Sequence, residues 1–249
     1  MPGKFVCTAT WDSVPHLTQQ AKDELWASIP PYQRDARSKG IPALGSGAIY
    51  PIAESDLVVP DIPIPDHWPR AFGMDIGWSR TAVIWVALNR DTDVLYCYAE
   101  HYRGEAEPVI HAEAIKARGK WIRGAIDPAA RGRGQIDGRE LLQMYTDLGL
   151  DLTPADNAVE SGIYHVMTRM SSGRLKIFPS LANTLSELRL YRRDERGKVV
   201  KARDHLMDAL RYVCVELHNV IQTKSTAVKD EDREYLTPER SYASTGWMS

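Results

Sequence analysis

Three aspartates stand in settings from which a carboxylate can do chemistry. Asp75 lies in Gly73-Met74-Asp75-Ile76-Gly77-Trp78-Ser79, Asp127 in Ala125-Ile126-Asp127-Pro128, and Asp208 in Asp204-His205-Leu206-Met207-Asp208-Ala209-Leu210. The first two end hydrophobic runs that read as strands, and the third falls near the start of an amphipathic helix. Carboxylates gathered from such places offer an all-oxygen set for hard divalent cations, and such ions act on phosphate esters. The chemistry this points to is metal-dependent cleavage of a nucleic acid.

Each aspartate also has a structural reading. A carboxylate within an apolar strand is costly to bury without a cationic or hydrogen-bonding partner, but Asp75 can instead cap the turn at Gly77-Trp78-Ser79. Asp127 sits at a strand's C-terminal end, where open α/β sheets bind ligands, and an Asp before Pro equally starts turns. On a helical wheel Asp208 falls beside Asp204 and away from the stripe Leu206, Leu210, Val213, Leu217 and Ile221, so periodicity alone predicts a solvated face. What favours a site there is its place in the second turn of a helix that follows a basic hairpin. His205 reads either as a metal-linked or general-base group or as a helix-start histidine with no duty.

Between Arg189 and Arg203 there are seven basic residues (Arg189, Arg192, Arg193, Arg196, Lys198, Lys201 and Arg203) against Asp194 and Glu195. Such a hairpin can neutralise phosphates in a salt-dependent way, or serve solubility alone. Arg131 and Arg133, on a glycine-rich loop after Asp127, can reach the same backbone. The candidate DNA contacts are Arg131, Arg133, Arg192, Arg193, Lys198 and Lys201. No His/Cys group has zinc-ligand spacing, no Ser lies in G-x-S-x-G, and no G-x-x-x-x-G-K-[ST] loop occurs.

The elements that must position these residues follow from periodicity. Strands are predicted at 70–76, 81–89 and 94–102, joined by short polar turns into an antiparallel meander. Then strands at 121–127, 150–153 and 175–178 alternate with helices at 108–118, 138–148, 158–170 and 181–191, a pattern of parallel pairing with helices on both faces of a sheet. A hairpin at 191–201 leads into a last helix at 204–221. Residues 1–67 are irregular, with an apolar piece at 5–10, a helix at 18–28 and, from Pro30-Pro31 onward, a Gly/Pro-punctuated stretch, with Pro60, Pro63, Pro65 and Pro69 close together, that reads as an extended linker into the next domain. Residues 223–249 read as a disordered tail.

With 249 residues, 43% of them hydrophobic, the chain can bury one substantial core. Its 31 Lys and Arg against 33 Asp and Glu give a net charge of -2, so any attraction to nucleic acid must be local. Cys7, Cys97 and Cys214 are far apart and odd in number, against a disulfide framework. No apolar run is long enough to span a bilayer, and the start lacks a signal-peptide pattern, so an unsecreted protein away from membranes is expected.

The order of Asp75 on a strand, a three-stranded meander, Asp127 at a later strand end and Asp208 within Asp208-Ala209-Leu210-Arg211-Tyr212 resembles the nuclease domain of tailed-phage terminase large subunits, the DNA-packaging proteins. The resemblance covers about residues 68–222. Ala9-Thr10-Trp11-Asp12, the stretch 36–42 and Gly45-Ser46-Gly47-Ala48-Ile49-Tyr50-Pro51 resemble the end of that family's packaging ATPase and its linker. The resemblance implies a ribonuclease H-like α/β fold with a mixed central sheet and helices on both faces. It also implies an endonuclease that cuts concatemeric double-stranded viral DNA with two divalent ions, Mg2+ or Mn2+, held by Asp75, Asp127 and Asp208, with Asp204 as a secondary candidate. Further implications are a place in the host cytoplasm and, in the longer protein, the portal and the small terminase subunit as partners. The ATPase motifs are missing, so the chain is expected to be a C-terminal piece, with residues 1–67 as the ATPase end and linker.

Competing readings are a Holliday-junction-resolvase-type nuclease and a catalytically silent docking module for the portal. An ATPase of the actin and Hsp70 type shares Asp75-Ile76-Gly77 but needs a second phosphate loop that the sequence lacks.

Overall fold

A computed structural model describes residues 10–14, 16–28, 38, 47–131, 140–156 and 158–225, the side chains of residues 12 and 131 excepted. Strands β1 (Arg70–Asp75), β2 (Thr81–Asn89) and β3 (Val94–Arg103) form the expected antiparallel meander. β4 (Arg123–Ile126) pairs parallel to β1, β5 (Leu152–Pro154) parallel to β4, and β6 (Leu175–Ile177) parallel to β3. The result is a six-stranded mixed sheet in the order β5-β4-β1-β2-β3-β6.

The described helices are α1 (Gln19–Ser28), α2 (Glu54–Leu57), α3 (Pro108–Lys116), α4 (Leu141–Asp147), α5 (Val159–Ser171), α6 (Ala182–Leu190), α7 (His205–Val215) and α8 (Leu217–Val220). The helix predicted at 204–221 is thus two helices. It breaks at Glu216, whose backbone leaves the helical region and whose carboxylate accepts bonds from the Asp156 N–H (3.2 Å) and the Asn219 side-chain amide (2.7 Å).

Strand alternation divides the core in two. Phe72, Met74, Val83, Trp85 and Ile126 point to the α3/α4 face. Ala71, Ala82, Ile84, Val86 and Ala125 point to the opposite face, where α5, α6 and α7 pack. Helices therefore cover both faces, as expected of this fold class.

Part of the stretch read as a linker belongs to that second core. Ile49, Tyr50 and Leu57 are buried in it, the Tyr50 ring lies 5.5 Å from that of Tyr191, and Glu54 makes a two-pronged ion pair with Arg189 at 2.6 and 2.7 Å. The apolar piece at 5–10 (but for Thr10), the loop at 132–139 and, from 226 onward, the C-terminal stretch lie outside the described residues.

Candidate active site

The site forms where β1 and β4 end side by side. Both strands run the same way, with Met74 opposite Ile126, and the Asp127 N–H donates to the Met74 carbonyl (3.0 Å). Asp75 follows the alternation of Ala71 and Gly73, and Asp127 that of Ala125, so both carboxylates lie on the α7 face. Gly73 is what lets α7 reach that face. A Cβ there would sit 1.9 Å from the Ala209 carbonyl oxygen, so only glycine allows the helix this close.

Asp208, on the helix so admitted, is buried at 6% exposure. The solvated face predicted from periodicity is therefore corrected. Every residue from Leu206 to Cys214 is buried, because α7 is wedged between the sheet and α5 and α6 and has no water-facing side. A buried carboxylate needs compensation, and Asp208 has it twice. Arg211, one turn on and almost wholly buried, donates to Oδ1 from Nε (3.3 Å) and Nη2 (3.2 Å). Lys201 donates to Oδ2 (2.8 Å). The Arg211 stem passes under α5 at Gly162, where a Cβ would lie 2.4 Å from its Cγ.

The Lys201 ammonium also lies 3.1 Å from Asp204 Oδ2, which is buried and has no partner of hydrogen-bonding geometry among the described residues. Burial works against the Lys201 charge, yet the Asp208 and Asp204 carboxylates together outweigh it and raise its pKa.

His205 opens α7 with its Nδ1 2.8 Å from Asp75 Oδ2. Burial pushes the Asp75 pKa up to about 6; the His205 hydrogen bond opposes the rise, while the negative charges of Asp208 and Asp127 add to it. The same contact raises the His205 pKa. The three aspartates, 52 and 81 residues apart along the chain, are thus brought to one locality by the pairing of β1 with β4 and the packing of α7 on both. Tyr212 feels all three as well, its hydroxyl pushed up first by burial and then by them. Asp127 also keeps its turn role, with Oδ1 accepting the Ala129 N–H (2.9 Å).

Two residues that sequence reasoning missed hold this arrangement. Glu187 on α6, 2% exposed, accepts the Leu206 N–H (2.6 Å) at the start of α7 and the Tyr102 hydroxyl (2.7 Å) from β3. It satisfies an otherwise orphaned helix-start donor and fixes where His205 and Asp208 point. Arg211 is the other. Its spacing of three from Asp208 on a helix was a usable signal. Nothing in the sequence linked Glu187 to a segment beyond the hairpin.

The donor set fits a divalent cation in its chemistry: crowded carboxylates at a strand end, a raised Asp75 pKa and an under-satisfied oxygen on Asp204. As arranged, no group of three or more acidic or imidazole side chains among the described residues is placed to hold one ion. His205 and Lys201 occupy oxygens of Asp75 and Asp208.

Of the basic residues proposed for DNA, Arg192 and Lys198 are exposed on the hairpin, which forms with an Arg193–Val199 bridge and a turn closed by Gly197 in the left-handed region. Arg193 is bound two-pronged to Glu160 at 2.6 and 2.8 Å, and Lys201 faces the carboxylates. Arg133 and the side chain of Arg131 lie outside the described residues.

A mixed sheet with strand-end carboxylates and a third on a buried helix defines a ribonuclease H-like domain with an acidic centre. Residues 72–217 match the family of the terminase RNase H-like domain, and the chain belongs to it. The terminase large subunit of Enterobacteria phage LP7 is 34% identical over 205 residues, which cover 79% of this chain and 43% of that protein. The chain therefore spans less than half the length of that curated relative. The nuclease domain of the P22 large terminase is 30% identical with a TM-score of 0.64, over 72% of this chain and 96% of that one. The nuclease domain of the g2p large terminase from bacteriophage SPP1, solved with bound Mn, shares the fold at 15% identity and a TM-score of 0.51, over 68% and 99% of the two chains.

Proposed function

We propose that this chain is the nuclease part of a terminase large subunit and cuts concatemeric double-stranded viral DNA during genome packaging. What carries the reading is the meeting of Asp75, Asp127 and Asp208 at the ends of β1 and β4 beneath α7, in a chain of this family. Asp75, Asp127 and Asp208 would hold two divalent ions, Mg2+ or Mn2+, with Asp204 beside them. Bound there, the ions would activate the attacking water and stabilise the leaving 3′ oxygen. The SPP1 neighbour's Mn supports this choice.

The chain's own groups have separable tasks. His205, with Nδ1 2.8 Å from Asp75 Oδ2, fixes that carboxylate's rotamer. Arg211 orients Asp208 from behind, and Lys201 must leave Asp204 and Asp208 for cations to enter. Arg131, Arg133, Arg192 and Lys198 supply charge to phosphates, joined by Lys201 once released and by Arg193 if Glu160 yields it. Residues 1–67 would be the end of the packaging ATPase and its linker, the latter anchored in the core through Ile49, Tyr50 and Leu57; the portal and small subunit would be partners of the longer protein, and the host cytoplasm its place of work. No described helix is long and apolar enough to cross a membrane.

The test is plasmid cleavage with added Mg2+ or Mn2+. The wild-type chain should nick and linearise DNA, and Asp75→Ala should lose at least about a thousandfold of that activity while keeping its circular dichroism spectrum, as expected when a metal-holding carboxylate is removed. Retained cleavage by Asp75→Ala would remove Asp75 from the site.

A further inference from the structure

Trp78 is the most exposed large apolar side chain among the described residues, at 68%. It sits three positions after Asp75, in the turn between β1 and β2. Single exposed apolar residues are ordinary, but this one is held out by a backbone pinned by the end of β3 and the start of β2. The Glu105 N–H donates to the Trp78 carbonyl (2.8 Å) and the Thr81 hydroxyl to the Gly77 carbonyl (3.1 Å). Gly104 presses so close that a Cβ on it would lie 2.0 Å from the Ser79 carbonyl oxygen. Glu105 follows in the left-handed region at φ 51°. The turn is thus fixed against the end of β3, and an indole presented on a fixed backbone can bind with little loss of chain entropy.

Arg80, two positions on from Trp78, links the turn to the carboxylate centre. The Arg80 guanidinium lies 4.6 Å over the Tyr102 ring. That ring is 6.5 Å from the ring of His205, whose Nδ1 reaches Asp75. The Arg203 charge also acts on the Tyr102 hydroxyl, in the same direction as that of Arg80. An exposed flat apolar side chain with an arginine two positions on suits a ligand that alternates phosphates with flat apolar faces, and DNA is that ligand.

Granted that the chain cuts DNA, as proposed above, we infer that the turn at 77–80 is the DNA contact nearest the scissile phosphate. Trp78 packs on a sugar–base face of the duplex and Arg80 pairs with a neighbouring phosphate. The carboxylates then receive a strand already positioned by groups that hold no metal.

The experiment measures binding of a fluorescent duplex to the whole chain by anisotropy across a salt series, with Ca2+ in place of Mn2+. Mn2+ binding without DNA and plasmid cleavage are measured on the same proteins. Trp78→Ala should weaken duplex binding about tenfold with an unchanged salt slope, and Trp78→Phe should restore most of it. Arg80→Gln should lower the slope by about one. Mn2+ affinity should be unchanged in all three variants. Wild-type binding by Trp78→Ala and Arg80→Gln, in a protein that still cuts, would overturn the inference, as would a loss of Mn2+ affinity in Trp78→Ala. A wild-type chain that neither binds nor cuts DNA would instead overturn the nuclease reading itself.

Discussion

The two faces of the central sheet are built from alternate residues of the same strands, and both bury an apolar core, yet they bury different polar groups. Toward α3 and α4 the strands send Phe72, Met74, Val83, Trp85 and Ile126, and the polar pair there, His101 and His111, is joined by a 2.9 Å contact. Two ring nitrogens that share one hydrogen bond cannot both carry the proton in it, and burial, then the neighbouring His111, lowers the His101 pKa to about 4. Toward α7 the same strands send Asp75, Tyr102 and, just past β4, Asp127, to meet Asp208, Arg211 and Glu187. One face buries apolar side chains around a histidine pair, with Arg118 stacked on Trp85 at 5.0 Å. The other adds to its apolar core a cluster of buried carboxylates that need their cationic and hydrogen-bonding partners.

The contrast breaks most sharply at Arg211. Replacing it with Met leaves Asp208 buried with Lys201 alone, and should cost about 3–5 kcal/mol in urea unfolding. Adding Asp208→Asn should recover most of that loss, and failure to recover would mean that Arg211 acts through packing under Gly162 instead.

Glycine substitutions on the two faces give the next largest effects. Gly73→Ala drives a Cβ into the Ala209 carbonyl oxygen, which only a shift of α7 can relieve, and should cost about 3 kcal/mol. Gly124→Ala meets the Phe72 ring at 2.2 Å, a side chain rather than backbone, and should cost about 1–2 kcal/mol. Urea unfolding of both variants ranks them, and the reverse order would undo the account of how α7 reaches the sheet.

On the charged face alone, Lys201→Met should tighten Mn2+ binding about tenfold by calorimetry, because the ammonium and the ion compete for Asp208. Weaker binding would show that Lys201 supports the site rather than blocks it.

The smallest effect lies on the apolar face. A histidine whose pKa is depressed in the folded state stabilises above its unfolded value of 6.5, and that stability is lost as pH falls toward about 4. His101→Gln should therefore flatten the loss of stability between those pH values by about 1 kcal/mol, a figure reduced for its partial exposure. Chemical denaturation at several pH values reads it directly.

Most of the fold was legible from period and turn chemistry, because the meander alternates every two residues and its turns are polar. The failures came where one segment's environment depends on distant ones. Asp208 read as solvated because a helical wheel assigns water to whatever is not apolar, whereas α7 is enclosed on all sides. Tyr50 and Leu57 read as linker because prolines surround them, yet they fill the core beside Tyr191.

What the sequence determined by itself is the set of strands and the strand-end places of Asp75 and Asp127, since both rest on local alternation. What only the tertiary structure decided is the company those carboxylates keep. Asp208 joins them because Gly73 and Gly162 remove side chains that would hold α7 and the Arg211 stem away, and Glu187 fixes the start of that helix. Such contacts link residues many positions apart, and no local pattern encodes them. A buried charge is tolerated only where the whole fold has already placed its partner.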